Sequence, residues 1–317
     1  MPDVRIDESV TPAAHRAGLV RALEQRRVDN WFDYVGDLAA TRWRHLASSR
    51  SPAHDDTDGL RAYDEATRTL IADLPDGPVH VVGVACGDGV KERRLLGALA
   101  AAGRSTLSAT PVDVSVPLVT AAAEAMASVP GVDATDAVAV DITMVHDLSP
   151  LLSSRRPGHR VVTLFGVIST LGPGALTPAA SLMGPGDLLL VSANLLPDRA
   201  GAREAIMDQY DNPPTREWLA TVLREIGVDD AGPIAFRWDD APGGPAIVGE
   251  VVPARMCMAE VAGVTVGLPP GEPIRVLESF RHTADGLRAI LAAMELEVLA
   301  VAVSPSGEEG VAVARRT

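Results

Sequence analysis

Apolar runs separated by helical patterns extend over residues 79–194. The runs "VHVVGVA", "RVVTLFGVI" and "GDLLLVSANLL" are each followed by a helical segment or a crossover. Strands that are apolar on both faces are typical of a parallel sheet covered by helices on both sides. The chain then ends in a helix, "ADGLRAILAAME", and two strands, "LEVLAVAVS" and "VAVARR". The pattern predicts a doubly wound α/β sheet that finishes in an antiparallel hairpin.

Two regions depart from this rhythm. Residues 10–48 place apolar residues three and four apart, which predicts helices, and the turn-rich "SSRSPAHDDTDG" follows them. Residues 196–282 contain a helix near "TREWLATVLREIG", a turn "DDAPGGP" and strand-like segments. We therefore expect one domain formed by residues 60–195 and 283–317, and a second, α+β domain formed by residues 1–59 and 196–282.

Composition narrows the class of protein. The 317 residues are 47% hydrophobic, and their net charge of −14 would repel a phosphate backbone, so nucleic acid is not an expected partner. No stretch of 18 residues is both apolar and free of charge, so the sequence contains no candidate membrane span. The first residues do not resemble a signal peptide, and we therefore expect a cytoplasmic protein without a membrane partner. The two cysteines and the seven histidines show no metal-ligand spacing, so no metal is expected. The sequence indicates no oligomeric state.

A small-x-Gly-x-Gly turn, formed by Ala85, Gly87 and Gly89, follows the first apolar strand. Such a turn lets backbone N–H groups approach a ligand, although it can also be a tight turn without one. Dinucleotides and S-adenosylmethionine both bind at this kind of corner. The dinucleotide fingerprint requires a third glycine at position 92, where Glu92 stands, so the pyrophosphate interpretation weakens.

Two aspartates end the next strands. Asp113, in "PVDVS", could accept hydrogen bonds from the ribose hydroxyls of either cofactor, and Asp141, in "VAVDI", suits an adenine amino group. The terminal antiparallel hairpin is the closing element of class I methyltransferases. Together these features favour S-adenosylmethionine, although each aspartate could instead cap a helix.

The order of the motifs resembles the histidine Nα-methyltransferase family of ergothioneine biosynthesis, which includes relatives that methylate prenylated tryptophan. "GVACGDGVKERRLL" is similar to that family's cofactor turn, and "PVDVS" to its Pro-Val/Leu-Asp-Val-Ser segment. "WFDYVGDLAATRWRHL", "FGVISTLGP", "QYDNPPTREWL" and "PPGEPIRVLESFRH" resemble further family segments in the same order. The resemblance implies a Rossmann-like class I methyltransferase domain and a separate substrate-binding domain.

The resemblance also implies site residues. Those that would hold S-adenosylmethionine are Ala85, Gly87, Gly89, Lys91, Asp113, Val114, Asp141, Ile142 and Phe165. Those that would line the acceptor pocket are Tyr34, Ser169, Thr170, Tyr210 and Ser279. The groups that could take a proton from an amine acceptor, directly or through water, are Tyr34, Tyr210, Thr170 and Glu278. Each tyrosine could equally be a packing residue at a domain boundary.

This chain departs from the family pattern where the family reads its substrate. An acidic residue and the first glycine of the cofactor turn are Gly83 and Ala85 here, and the asparagine that holds the amino acid is Thr170. The glutamate that reads the imidazole falls at Leu277, and Glu278 is shifted by one position. Histidine is therefore not the expected acceptor. His282 either borders the acceptor pocket or, more simply, lies at the surface beside Arg281.

Three hypotheses follow from the sequence. The first is N-methylation of an amino acid or of a metabolite derived from one. The second is different chemistry on the same scaffold, namely O- or C-methylation or a cyclisation that uses the cofactor's aminopropyl carbon. The third is a non-catalytic protein that binds the cofactor, which the changes at Gly83 and Ala85 would permit.

Overall fold

The computed structural model describes residues 3–50, 57–104, 106–133, 136–152, 158–228, 231–240 and 244–317. Most of the turn-rich segment predicted at 48–59, and part of the turn "DDAPGGP", lie outside the described residues. The helices are α1 Pro12–Glu24, α2 Asp37–Arg50, α3 Thr57–Asp73, α4 Val90–Ala101, α5 Val116–Ala127, α6 Ile168–Leu171, α7 Leu176–Ala180, α8 Ala202–Tyr210, α9 Pro213–Glu225 and α10 Ala284–Ala293.

The strands are β1 Val4–Ile6, β2 Val79–Val84, β3 Leu107–Asp113, β4 Val132–Asp133, β5 Ala137–Ala139, β6 His159–Phe165, β7 Leu188–Asn194, β8 Ala235–Asp239, β9 Ala246–Val251, β10 Cys257–Val261, β11 Val264–Leu268, β12 Ile274–Phe280, β13 Leu296–Val303 and β14 Glu309–Arg316. The alternating strands and helices predicted from residue 79 onward are thus present.

The largest sheet that the described residues form runs in the order β1-β5-β3-β2-β6-β7-β14-β13, with the short β4 beside β3. Its first six strands are parallel, whereas β14 lies antiparallel between β7 and β13. All six residues of β2 are buried, as expected for a central strand covered on both faces. This strand order, closed by an antiparallel hairpin, is the class I methyltransferase fold, and it confirms the predicted fold class.

Alternate side chains of β2 contribute to two different apolar cores. Val82 and Val84 pack into one cluster, together with residues of α7 and α10. Val79 and Val81 pack into the other, together with residues of α3 and α4. The period-2 geometry of a strand thus builds a helical layer on each face of the sheet.

A third apolar core lies outside the main sheet. It joins residues of α1 and α9 with the three-stranded antiparallel sheet β12-β9-β8 and the hairpin β10-β11. The N-terminal helices and the region after β7 therefore share one core, although most of a domain separates them in sequence. The first strand departs from this division, because β1 pairs in parallel with β5 at the edge of the main sheet.

Backbone pairing connects residues 196–282 to the N-terminal part of the chain and to the main sheet. Arg27 bridges to Arg275 at the start of β12, and Leu195, directly after β7, bridges to His282. The residues that end β12 are therefore held next to the carboxyl end of β7. None of the described helices is long and apolar enough to cross a membrane.

Candidate cofactor and acceptor site

A cavity of about 350 Å³ lies at the carboxyl ends of β2, β3, β5 and β6. The order of the sheet reverses between β2 and β6, and such a switch point is where open α/β sheets bind ligands. Residues of the N-terminal helices and of the segment 196–282 also line this cavity. The sequence-predicted residues that line the cavity are Tyr34, Ala85, Gly87, Lys91, Asp113, Val114, Asp141, Ile142, Phe165, Thr170, Tyr210, Glu278 and Ser279.

The turn after β2 has the left-handed backbone that its glycines suggested. Gly87 has φ 58° and Gly89 has φ 73°, and Ala85 has φ 50° although it carries a Cβ. A Cβ on Gly87 would lie 2.5 Å from the Trp43 ring, and one on Gly89 would lie 2.8 Å from Ala122 in α5. The missing side chain of Gly87 therefore makes room for the Trp43 ring at the cavity. Gly89 instead allows the turn to pack closely against α5, and it does not line the cavity.

Asp113 ties this turn to the end of β3. Its Oδ2 accepts a hydrogen bond from the Gly87 N–H at 2.8 Å, and its Oδ1 accepts one from the Ser115 N–H at 2.9 Å. Burial raises the pKa of Asp113 to about 6, although these N–H groups favour the ionised form. Each carboxylate oxygen has a second lone pair, so Asp113 can still accept hydrogen bonds from a ligand.

Asp141 occupies the corresponding position after β5. Its Oδ1 accepts hydrogen bonds from the N–H and the hydroxyl of Thr143, at 2.9 and 2.7 Å. Burial raises its pKa. The other carboxylate oxygen remains available to a donor such as an exocyclic amine.

Glu92 is a buried carboxyl group. In the sequence it is notable only because it occupies the position of the third glycine of the dinucleotide fingerprint. Its side chain projects from α4 under the turn, where a Cβ on Gly83 would lie 2.9 Å from Glu92 Cγ. Its Oε1 accepts a hydrogen bond from the Thr163 hydroxyl at 2.8 Å, while Oε2 has no partner. Burial raises the pKa of Glu92 to about 7. Glu92 thus fills the space that a side chain at Gly83 would need.

The cavity holds an unusual share of the chain's aromatic residues. Three of the four tryptophans (31, 43 and 218) and two of the three tyrosines (34 and 210) line it. The Tyr34 ring makes edge contacts with Trp43 and Trp218, at centroid distances of 5.7 and 5.4 Å. Burial, and then the charges of Asp33 and Asp113, raise the pKa of Tyr34. The raised pKa favours the neutral phenol of Tyr34.

The opposite wall contains a hydrogen-bonded group of three residues. The Tyr210 hydroxyl lies 2.9 Å from Ser279 Oγ and accepts a hydrogen bond from Arg281 Nη2 at 2.8 Å. Of the two positions expected for His282, at the acceptor pocket or at the surface, neither fits fully, because His282 does not line the cavity and is partly buried beside the end of β7. Its neighbour Arg281 is only 6% exposed and lines the cavity.

Asn30 holds the acceptor wall together and was not found from the sequence. Its side-chain amide donates to the carbonyls of Glu278, at 2.6 Å, and Thr170, at 3.2 Å, and accepts from the Glu278 N–H. The pairing of β12 with β9 shifts its register between Arg275 and Leu277. The Glu278 carboxylate pairs with Arg275 at 2.7 Å, so this proposed proton acceptor already has a partner.

One predicted acceptor residue does not line the cavity. Ser169 is fully buried, and its hydroxyl accepts a hydrogen bond from the Asn194 N–H at 2.8 Å. Its neighbour Thr170 does line the cavity and donates its hydroxyl to the Gly166 carbonyl at 3.3 Å. Of this adjacent pair, only Thr170 is in position to meet a ligand.

Lys91 and Glu309 complete the wall near the turn. The Lys91 ammonium lies 5.5 Å from the Tyr63 ring and 5.7 Å from the Phe165 ring. Glu309 accepts a hydrogen bond from the Tyr63 hydroxyl at 2.6 Å, and burial raises its pKa. Within the described part of the chain, no group of three metal-ligating side chains could hold an ion.

No protein-family model matches this sequence, and no curated protein matches it. Solved structures with a similar overall fold include magnesium protoporphyrin IX methyltransferase from Synechocystis with bound S-adenosylhomocysteine, at 12% identity and TM-score 0.45, covering 90% of this chain and 97% of that one. A SAM-dependent methyltransferase from Aquifex aeolicus matches at 10% identity and TM-score 0.42, covering 86% and 98%. A possible exported protein from Bordetella parapertussis matches at 13% identity and TM-score 0.49, covering 96% and 97%.

Proposed function

We propose that this protein is an S-adenosylmethionine-dependent methyltransferase that N-methylates the amine of an amino acid, or of a small metabolite derived from one, other than histidine. The observation that carries the proposal is the single cavity in which the glycine turn, Asp113 and Asp141 face Tyr210 and Ser279. A cofactor half and an acceptor half thus meet at one switch point of the sheet.

The residues of the first half fit S-adenosylmethionine. Asp113 and Asp141 keep lone pairs for ribose hydroxyls and an adenine amine, and Gly87 leaves the turn open to the cavity. Val114, Ile142 and the other predicted cofactor residues on the wall would pack against the nucleoside. Aromatic rings attract cations, so the Tyr34 and Trp43 faces suit a sulfonium.

A pyrophosphate suits this cavity less well. The carboxylates that line it are Asp88, Asp113, Asp141, Glu278, Glu308 and Glu309, against the two lining cations Lys91 and Arg281. Glu278 and Glu308 also pair with Arg275 and Arg199, so the excess comes from the other four. An excess of negative groups repels a dianionic linker but tolerates a cationic or zwitterionic ligand. We therefore favour S-adenosylmethionine over a dinucleotide.

The chemistry asks little of the protein beyond positioning. Bound S-adenosylmethionine supplies an electrophilic methyl group, which a neutral amine attacks in line. The acceptor wall would hold that amine in place and exclude bulk water from it. Tyr34 stays neutral and Glu278 is paired with Arg275, so we propose that the amine loses its proton to water rather than to either side chain.

The two parts of the chain would divide this work. We propose that residues 60–195 and 283–317 form the cofactor-binding domain and that residues 1–59 and 196–282 form the acceptor-binding domain, except for β1, which pairs with β5 of the main sheet. The shared apolar core of the N-terminal helices and the late region supports this division. We also propose that the chain is a divergent member of the histidine Nα-methyltransferase family. Leu277 stands where the family has the glutamate that reads the imidazole, so histidine is not the proposed acceptor.

Methyl transfer from isotope-labelled S-adenosylmethionine to a panel of amino acids and biogenic amines tests the proposal. We expect a labelled product whose added methyl group is on nitrogen, and less product with an Asp113→Asn variant when S-adenosylmethionine is limiting. Asp187→Asn is the matched control, because Asp187 is also buried and also accepts two backbone N–H bonds but does not line the cavity. Label on oxygen or carbon would support the second hypothesis instead, and cofactor binding without any product would support the third.

A further inference from the structure

Arg281 is a buried cation that forms no ion pair with a described acidic side chain, although its charge acts on Glu309 of the same cavity. It follows the end of β12, where its N–H donates to the Pro245 carbonyl at 2.7 Å, and it is 6% exposed. Across the part of the chain that the structure describes, no carboxylate lies within 4.0 Å of its guanidinium. Burying a guanidinium without a counter-charge is costly, so its place on the cavity wall needs an explanation.

The contacts of Arg281 leave hydrogen-bonding capacity unused. Nη2 donates to the Tyr210 hydroxyl at 2.8 Å and the guanidinium lies over the Tyr210 ring at 5.3 Å. Nε is enclosed by protein without a partner, so the donors left for a ligand are the N–H groups of Nη1 and the second N–H of Nη2. A guanidinium carries five N–H donors and stays charged at any physiological pH. The Tyr210 hydroxyl is itself fixed by Ser279, so the three residues form a rigid group of donors.

The buried Glu309 of the same cavity is hydrogen-bonded to Tyr63 and is acted on by the charge of Arg281, but the two form no ion pair. Two other carboxylates near the acceptor wall are neutralised within the protein. Glu278 pairs with Arg275 at 2.7 Å, and Glu308 pairs with Arg199 at 2.8 Å. Arg281 therefore stands out as the cation left for a ligand on this wall.

We propose that Arg281 binds a carboxylate of the acceptor, in a planar two-point contact to which the Tyr210 hydroxyl can add a third hydrogen bond. The inference rests on the proposed function, since it assigns the acceptor class of the same cavity. The acceptor is then a carboxylate-bearing amine that binds as an anion or a zwitterion. Fixing the carboxylate sets the direction in which the amine points.

The cofactor also has a carboxylate, and its position separates the two cations. Lys91 lies in the first turn of α4, directly after the glycine turn, and its ammonium is 5.5 Å from the Tyr63 ring and 5.7 Å from the Phe165 ring. Arg281 follows β12 and is hydrogen-bonded to Tyr210, which is bonded in turn to Ser279. We therefore assign the cofactor carboxylate to Lys91 and the acceptor carboxylate to Arg281.

Calorimetry on the intact protein tests this assignment in two stages. The first stage titrates S-adenosylhomocysteine into the natural protein, Arg281→Gln, Arg281→Lys and the control Arg237→Gln. Arg237 lies on β8 of the same small sheet and pairs with Glu250 outside the cavity. We expect equal affinities for all four, which also shows that each variant is folded. Absence of binding to the natural protein would refute the proposed function itself.

The second stage saturates each protein with S-adenosylhomocysteine and titrates the free proteinogenic L-amino acids and their primary amides. We expect at least one free acid to bind the natural protein better than its amide. Arg281→Gln should weaken that acid roughly 30-fold or more and leave the amide unchanged, with Arg281→Lys in between. The assignment is overturned if no acid outbinds its amide, if Arg281→Gln weakens both alike, or if it weakens S-adenosylhomocysteine instead.

Discussion

Replacing Glu92 by glutamine should stabilise the ligand-free protein above neutral pH. The Glu92 carboxyl group is buried under the cofactor turn, with one oxygen bonded to the Thr163 hydroxyl and the other without a partner. Ionising it in this place is costly because burial removes the charge from water, and the hydrogen bond from Thr163 and the charge of Lys91 compensate it only in part. Glutamine has nearly the same shape and cannot ionise. It can still accept the hydrogen bond from Thr163.

The size of the effect follows from the pKa. Burial raises the pKa of Glu92 from 4.5 to about 7, which corresponds to about 3 kcal/mol. Between these two values the folded protein binds more protons than the unfolded chain, so its stability falls as the pH rises through this window. The variant lacks this loss. Its stability advantage over the natural protein should therefore grow by about 3 kcal/mol from pH 4.5 to above pH 7.

Urea unfolding of both proteins, without ligand and across this pH range, measures the difference directly. Other buried carboxyls such as Asp113 are common to both proteins and cancel. Glu124→Gln is the control, because Glu124 is exposed on α5 and its replacement should give no growing difference. A gap between the natural protein and Glu92→Gln that stays constant or shrinks as the pH rises would refute this account of Glu92.

Three further substitutions test the parts of the site. Gly87→Ala should lower the free energy of unfolding by about 1–2 kcal/mol and weaken S-adenosylhomocysteine binding, because a Cβ at this left-handed position meets Trp43; unchanged binding in calorimetry would contradict it. Ala85→Gly should change stability by less than about 1 kcal/mol and keep S-adenosylhomocysteine affinity, since relief at φ 50° offsets the added chain entropy; lost affinity would show that the Ala85 methyl group contacts the ligand. Asn30→Ala should cost about 1–3 kcal/mol in urea unfolding and impair acceptor binding more than cofactor binding, because it removes the amide that links Glu278 to Thr170; equal losses for both ligands would contradict this.

Periodicity was enough to predict the main sheet, because each of its central strands is apolar on both faces. The turn at Gly87 and the aspartate at the end of β3 could also be found, since a strand end followed by small residues is a local pattern. The pairing of β1 with β5 was not predictable, because a three-residue strand with mostly exposed side chains has no distinctive pattern.

The residues missed in the site act through contacts distant in sequence. Asn30 contacts Glu278, which lies 248 positions away in sequence, and the residues around Asn30 show no pattern that predicts the contact. Arginine is usually a surface residue, and the contacts of Arg281 with Pro245 and Tyr210, which are distant in sequence, could not be predicted. Glu92 gave a local signal, since it falls on the buried face of α4 near Leu95 and Leu96. An acidic residue among apolar neighbours on a helix face therefore merits attention in its own right.

Calorimetric titration with S-adenosylmethionine, S-adenosylhomocysteine and NAD tests the central claim most directly, with Asp113→Asn and the control Asp187→Asn alongside. The account predicts that both adenosyl compounds bind and that NAD does not. It also predicts that Asp113→Asn weakens their binding by about 1–3 kcal/mol and that Asp187→Asn leaves it unchanged. Binding of NAD alone, or of none of the three, would contradict the claim that this cavity is an S-adenosylmethionine site.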